Sequence, residues 1–314
     1  MNPTLKCLTR LRVGHSKGTP AANKPCLILA LICEIQAGHI VTSRVPIDTR
    51  LITRYCELYE IATGERQKAN PWLPLWHLSS DAGPNGSLWT PVFHDTLEKI
   101  AKQLGQPKSM SDIEQRFVAA DLDSELYRTA QDKPLAFEAA AILIGQYFVH
   151  SPAAQQALHD YIGLAFSSGE YEKNPEKLAE VVHEPSQLQA RSAAFRSLVL
   201  EAYDYRCAAS RLRYITPDYR YLVEAAHLMP FAESQDDHPT NGLALTPNLH
   251  WAMDNHLIAP GPDHKWHVSP IIDALVPDNR WLCDLDGHPL VLPRDSRWHP
   301  TQDALTWRLD HLQR

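Results

Sequence analysis

The period of apolar positions changes several times along this chain, and each change marks an expected element. A short amphipathic opening leads to a loop over residues 16–25, in which Asn23 and Pro25 suit a helix entry. The spacing then predicts a helix from 26 to about 37, stopped at Gly38. In Asn70-Pro71-Trp72-Leu73-Pro74-Leu75-Trp76-His77-Leu78 the prolines exclude a long helix, so an extended, aromatic-rich edge is expected. Turn residues at 81–86 and a second strand around Leu88 and Trp89 follow. From 111 to about 181 the period becomes helical, most clearly at 137–148 and 153–165. Polar punctuation at 169–174 and at Glu184-Pro185-Ser186 places a boundary near 186. Beyond it come a helix over 190–203, a strand alternating over 221–227 and a loop of about a dozen residues. The string Leu243-Ala244-Leu245, a short helix from 247 to about 255 and a final strand at 266–268 complete the pattern. The expectation is an α+β protein: an N-terminal αβ domain over 1–105, a helical connector over 106–186 and a second domain over 187–314.

With 314 residues, 44% hydrophobic and 21% charged, the chain holds enough apolar material for two cores. It has no run of about 18 apolar residues, so no membrane partner is expected. Lys6, Arg10 and Arg12 precede an apolar stretch that comes late and is interrupted by Glu34, which argues against an export signal. The six cysteines include no C-x-x-C pair, pointing to a reducing cytoplasm and away from a cysteine zinc site. A net charge of −7 disfavours nucleic acid until its distribution is considered. Residues 1–33 carry five basic and no acidic side chains, and residues 109–190 carry thirteen acidic against five basic. A second basic cluster follows, with Arg191, Arg196, Arg206, Arg211, Arg213 and Arg220. A DNA footprint at both ends of an acidic spacer and a set of solvated surface charges fit this pattern equally.

The chemically informative residues are His227, Asn241 and His250. They lie in Glu224-Ala225-Ala226-His227-Leu228-Met229-Pro230 and Asn241-Gly242-Leu243-Ala244-Leu245-Thr246-Pro247-Asn248-Leu249-His250. Cleaving a phosphodiester needs a base to activate water and a divalent cation to stabilise charge on the phosphate and the leaving oxygen. A neutral histidine can serve either need. His250 and Asp254 stand four apart on the expected helix, so their side chains face one way, as two ligands of one ion must. An imidazole with a carboxylate leaves positions for water and phosphate, which suits Mg2+, Mn2+ or another divalent ion. Spacing alone still leaves each of the sixteen histidines open to a surface or core role.

These strings resemble the HNH nuclease motif of the ββα-metal fold. In that family a histidine after a strand is followed by Pro three residues on. An Asn then begins an N-G-L-x-L-like string, and a helix-borne histidine lies nine residues after it. Here His227 precedes Pro230 by three and Asn241 precedes His250 by nine, with Leu243 and Leu245 at the apolar positions. The resemblance implies that His227 is the general base, that Asn241 braces the loop holding it, and that His250 with Asp254 binds the metal. Ala226 stands where many relatives place a further ligand; Glu224, two residues back on the same strand face, can substitute. The cysteine pairs that bind structural zinc in many relatives are missing, with Thr246 and Leu249 in their places. No structural zinc is therefore expected, and Cys207 reads as a small core residue.

The resemblance extends outward. Arg191-Ser192-Ala193-Ala194-Phe195-Arg196, the segment over 203–210 and the tail from Leu285 to Arg308 resemble the surroundings of the HNH core in bacterial restriction endonucleases, where Arg206 or Arg211 could meet phosphate. At the other end, Leu11-Arg12-Val13, Gly18-Thr19-Pro20-Ala21, Asn23-Lys24-Pro25, Leu73-Pro74-Leu75-Trp76-His77-Leu78 and Leu88-Trp89 resemble the sulfur-binding domain of enzymes that cut phosphorothioated DNA. Sulfur in place of a non-bridging oxygen is larger, more polarisable and less hydrated. An apolar cup can favour it while a cation holds the backbone charge. The resemblance implies Lys17 and Lys24 as candidates for that cation, and Pro74, Leu73 and Trp76 or His77 as the cup. Asn23 and Leu73 depart from the His and Tyr that relatives often carry. Core roles for Pro74, Trp76 and Trp89, and recognition of some other DNA, remain open. The expected function is modification-dependent DNA restriction by a metal-dependent HNH endonuclease, as a homodimer where both strands are cut. The alternatives are a generic HNH endonuclease or nickase and a non-catalytic DNA-binding regulator.

Overall fold

The computed structural model describes residues 3–16, 18–98 and 103–314. It divides into two compact units, Met1–Glu170 with Pro217–Tyr219, and Tyr171–Thr216 with Arg220–Arg314.

In the first unit, helix α1 (Pro3–Leu8) and the hairpin β1–β2 (His15–Ser16, Thr19–Pro20) lead into α2 (Asn23–Gln36). Every side chain of α2 from Lys24 to Gln36 is buried: its sequence from Cys26 to Cys33 is apolar all round rather than along one stripe, and the polar Lys24, Glu34 and Gln36 each meet hydrogen-bond partners. The helix begins three residues before the expected position 26. Pro25 lies within its first turn, where an amide proton has no intrahelical acceptor to lose. Strand β3 (Arg44–Val45) precedes α3 (Thr49–Thr63), which packs along α2. The Asp48 carboxylate caps α3 by accepting from the Leu51 N–H at 2.9 Å, and Gly64, at φ 75°, ends it in the left-handed conformation that glycine adopts freely.

The extended edge expected over 70–78 is not formed. Helix α4 (Trp72–His77) occupies it, followed by a 3₁₀ turn at Leu78–Ser80. Pro71 stands at the helix entry and Pro74 in its first turn, the region where a helix tolerates proline. Trp89 Nε1 donates to the Leu75 carbonyl at 2.9 Å and locks α4 to the sheet. The turn over 81–86 closes the hairpin β4–β5 (Ala82–Gly83, Gly86–Ser87), and β6 (Trp89–Phe93) follows where a strand was expected.

After the short helices α5 (Asp95–Glu98) and α6 (Met110–Arg116) comes a strand inside the segment expected to be helical. This is β7 (Phe117–Leu122), the middle strand of an antiparallel sheet ordered β3-β7-β6. It pairs Arg44 with Asp121 and Trp89 with Leu122. The Asp123 carboxylate caps α7 (Ser124–Gln131) through the N–H groups of Glu125 and Leu126. That cap isolates six residues of strand between two helices. Helices α8 (Lys133–Tyr147) and α9 (Pro152–Lys173) match the two clearest helical periods. Their Ala140, Leu143, Leu158, Ile162 and Phe166 join the core built on α2. The stretch read as a connector thus supplies a strand and helices to the first unit. Residues 217–219 group with this unit, where Arg66 donates to the carbonyls of Asp218 and Tyr219 at 2.9 and 2.8 Å.

In the second unit, α10 (Pro185–Ala202) covers the antiparallel pair β8 (Glu224–His227) and β9 (Gly242–Leu245). Its register runs from Glu224 opposite Leu245 to His227 opposite Gly242. Helix α11 (Phe231–Ser234) lies in the connecting loop, and α12 (Pro247–Asp254) follows β9, giving the order strand, strand, helix. The hairpin β10–β11 (Ile258–Pro260, Trp266–Val268), α13 (Arg280–Cys283) and α14 (Gln302–Asp310) complete the unit. A Cβ at Gly242 would lie 2.6 Å from Val199 Cγ2 and 2.7 Å from Phe195 Cε2, so α10 approaches β9 this closely only over a glycine. Among the described residues no helix is long and apolar enough to cross a membrane.

Candidate functional site

Asn241 lies just before β9 and is 2% exposed. Its Oδ1 accepts from the Met229 N–H at 2.9 Å, and its Nδ2 donates to the carbonyls of Met229 and Asp236, each at 3.0 Å. One donor facing its oxygen and two carbonyls facing its nitrogen fix the orientation of this amide. The Leu228 N–H donates to the Asn241 carbonyl at 2.8 Å. The chain leaving His227 is therefore clamped at 228, 229 and 236.

His227 ends β8, and its ring stacks on Phe195 of α10, with centroids 4.0 Å apart and planes 7° from parallel. Its Nε2 lies 3.0 Å from Oδ1 of Asp237. The other Asp237 oxygen faces Nε of the fully buried Arg191 at 3.4 Å. From α14, the buried Arg308 donates to the carbonyls of Leu228, His227 and Met253 at 2.6, 2.9 and 3.1 Å, joining the end of β8 to α12. Burial pushes the Arg308 guanidinium down to about 10, which still leaves it charged at neutral pH. The sequence placed Arg191, Phe195 and Arg308 in segments around the HNH core without a role for any of them, and did not single out Asp237. The sequence signal for Arg308 is slight: a charge four residues after Ala304 on the buried face of a helix.

Glu224, His250 and Asp254 form a second cluster. His250 Nδ1 lies 3.0 Å from Glu224 Oε2, and its Nε2 lies 3.3 Å from Asp254 Oδ2. The carboxylates flank opposite edges of one imidazole, so they cannot both join the same ring nitrogen around one ion. Two adjacent ligands of an octahedral ion with bonds of about 2.1 Å stand roughly 3 Å apart. Either edge of His250 therefore fits a hard divalent ion held by a nitrogen and one carboxylate. Both carboxylates are about half exposed, which leaves space for water and phosphate on the same ion. Among the described residues no group of three or more His, Cys, Asp or Glu side chains is arranged to hold an ion. Glu224 and His227 point to opposite faces of β8, and no hydrogen bond among the described residues joins His227 to the His250 cluster.

In the first unit a cavity of about 360 Å³ opens beside α2 and α4. Val13, Ala21, Leu73 and Pro74 form its apolar wall, and Arg12, Asn23, Lys24 and His77 its polar one. Trp76 stands elsewhere, stacked on Phe117 at 6.0 Å. Lys17 lies outside the described residues. Lys24 is buried and already paired: its Nζ meets Asp81 Oδ2 at 2.5 Å and the Arg12 carbonyl at 2.8 Å. Asn23 Oδ1 accepts from the Tyr55 hydroxyl at 2.8 Å, and His77 Nε2 lies 3.1 Å from Gln106 Oε1. Lys24 is thus a structural cation. The exposed Arg12 side chain, which makes no hydrogen bond among the described residues, is the charge this cavity offers.

Residues 207–259, which contain β8, β9 and α12, match the HNH endonuclease family. The chain carries an HNH endonuclease domain in its C-terminal region. Among solved structures it is similar to a modification-dependent restriction endonuclease, TagI, at 22% identity and a TM-score of 0.30, over 40% of this chain and 39% of that one. It is also similar to the Type IV phosphorothioation-dependent restriction endonuclease ScoMcrA, at 12% identity and a TM-score of 0.34, over 79% of this chain and 93% of that one. The chain spans about two fifths of TagI's length. No curated protein matches it.

Proposed function

We propose that this chain is a divalent-metal-dependent DNA endonuclease acting in modification-dependent restriction, with phosphorothioated DNA as its substrate. The observation that carries the hydrolytic half is the Asn241-clamped loop beside His227, within residues that match the HNH family. In this reading His227 takes a proton from the attacking water. Asn241 keeps the loop at 228–236 from shifting the imidazole, since small displacements of a catalytic group are costly. His250, with Asp254 or Glu224, would hold Mg2+ or Mn2+, which when bound would supply stabilisation of charge on the scissile phosphate and the leaving oxygen.

The recognition half is supported by the cavity in the first unit. Its wall of Val13, Ala21, Leu73 and Pro74 suits a poorly hydrated sulfur, and Arg12 offers a cation to the phosphate that bears it. Among the described residues the six cysteines form no disulfide, which accords with a reducing cytoplasmic setting. With one active site per chain, cutting both strands calls for two chains. The test is incubation with two matched plasmids, one phosphorothioated and one plain, in Mg2+ or Mn2+. Cutting confined to the modified plasmid is the expected result. Equal cutting of both removes the sulfur dependence, and binding without cutting supports the regulator instead.

A further inference from the structure

We infer that Asp237 is a positioning residue for His227: it holds the imidazole proton on Nε2, so that the nitrogen receiving a proton from water is Nδ1. This rests on the reading of His227 as the general base.

A neutral imidazole has one bare nitrogen, and what the other nitrogen meets decides which it is. His227 Nε2 lies 3.0 Å from Asp237 Oδ1. An ionised carboxylate only accepts, so the ring must donate there and its lone pair falls on Nδ1. The reverse arrangement would need a hydrogen on the aspartate. Arg191 opposes it through charge: its buried guanidinium stands 3.4 Å from the other carboxylate oxygen, in an ion pair without a hydrogen bond that a neutral aspartic acid would lose.

Arg191 is itself held on several sides. It is 0% exposed, and it donates to the carbonyls of Glu180 and Leu178 and, at 3.1 Å, to that of Gln235. The Asp237 N–H donates to the same Leu178 carbonyl at 3.0 Å. Backbone and side chain of Asp237 are thus anchored to one turn. Phe195 lies flat under the imidazole and Asp237 grips one edge, so the plane and the edge of the ring are both set before DNA arrives. The His227 side chain remains 25% exposed and that of Asp237 only 5%. Water reaches the base while its partner is sheltered from competing hydrogen bonds.

Two measurements on the full chain test this. Nitrogen-15 shifts of the His227 ring in the wild-type protein should show hydrogen on Nε2 and a bare Nδ1; a ring protonated on Nδ1 alone overturns the proposal, whether or not any variant folds. In Asp237→Asn, the amide turns its oxygen, the negative end of its dipole, toward the Arg191 charge and its NH2 group toward His227. Nε2 must then accept, and the proton moves to Nδ1. We expect kcat for DNA cleavage to fall about 100-fold or more with KM little changed, alongside a switched tautomer in the spectrum. Asp237→Asn cutting at the wild-type rate while His227→Ala is inactive overturns the positioning role. Cleavage that survives His227→Ala instead sinks the general-base reading, with the tautomer measurement standing apart from it.

Discussion

At Lys24 a charge expected to meet DNA is already matched by Asp81, 2.5 Å away and buried. The two lysine candidates were read from a string, and a string does not reveal that an aspartate 57 residues later closes on one of them. Arg12→Ala should therefore weaken binding to modified DNA and lower the slope of log affinity against log salt by about one, as loss of a phosphate contact does. Lys24→Met should instead lower stability by about 3–5 kcal/mol, because Asp81 is left buried without a counter-charge. Anisotropy titrations across NaCl concentrations, beside thermal melts, separate the two; the opposite pairing of effects would reverse the assignment. Glu34 makes a second prediction. Burial raises its pKa, but Arg54 at 2.6 Å and His39 at 2.7 Å overcome that and bring it down to about 2, below the ordinary 4.5. A depressed carboxylate stabilises the fold above its unfolded pKa and ceases to do so as pH falls through its folded one. Thermal stability should thus decline between about pH 4.5 and pH 2, by on the order of 3 kcal/mol. Glu34→Gln should flatten that decline. The spacing of His227, Asn241 and His250 was legible because the motif fixes it. The contacts that Asp237, Arg191 and Arg308 make were not, because each reaches its partners through tertiary packing.

Proline and capping chemistry govern what was legible among the elements. The prolines at 71 and 74 suggested an extended edge, yet both sit where a helix lacks amide acceptors, and the buried Leu75 rewards a turn of helix there. β7 was hidden for a related reason: its six residues lie between helical segments too closely spaced for a periodicity window to separate them. The helices over 137–148 and 153–165, and the strand and helix that bear His227 and His250, were legible because their periods are uninterrupted. Gly242 ties element packing to chemistry. Gly242→Ala would press a methyl group against Val199 and against the Phe195 ring on which His227 stacks. We expect a loss of about 1–3 kcal/mol, read as a lower Tm, with slower DNA cleavage by the protein that remains folded. An unchanged Tm with full activity would mean that α10 can withdraw without cost.

Over the whole molecule, the N-terminal half offers a cavity with one apolar wall and the exposed Arg12 in its lining, and the C-terminal half carries the HNH domain. Net charge gave little guidance to this arrangement, since a total of −7 is compatible with a few well-placed arginines. The division at residue 170 was not legible either: the helices after residue 124 share their apolar faces with α2, and hydrophobic period does not tell which core a face joins. In the proposed reading, His227 drives hydrolysis of DNA. Its most direct measurement is a time course of phosphorothioated plasmid cleavage in Mg2+ or Mn2+ by the wild-type chain and by His227→Ala, with DNA binding recorded in parallel. Cutting by the wild type and none by the variant at equal binding is expected; a variant that cuts at the wild-type rate would overturn the role of His227.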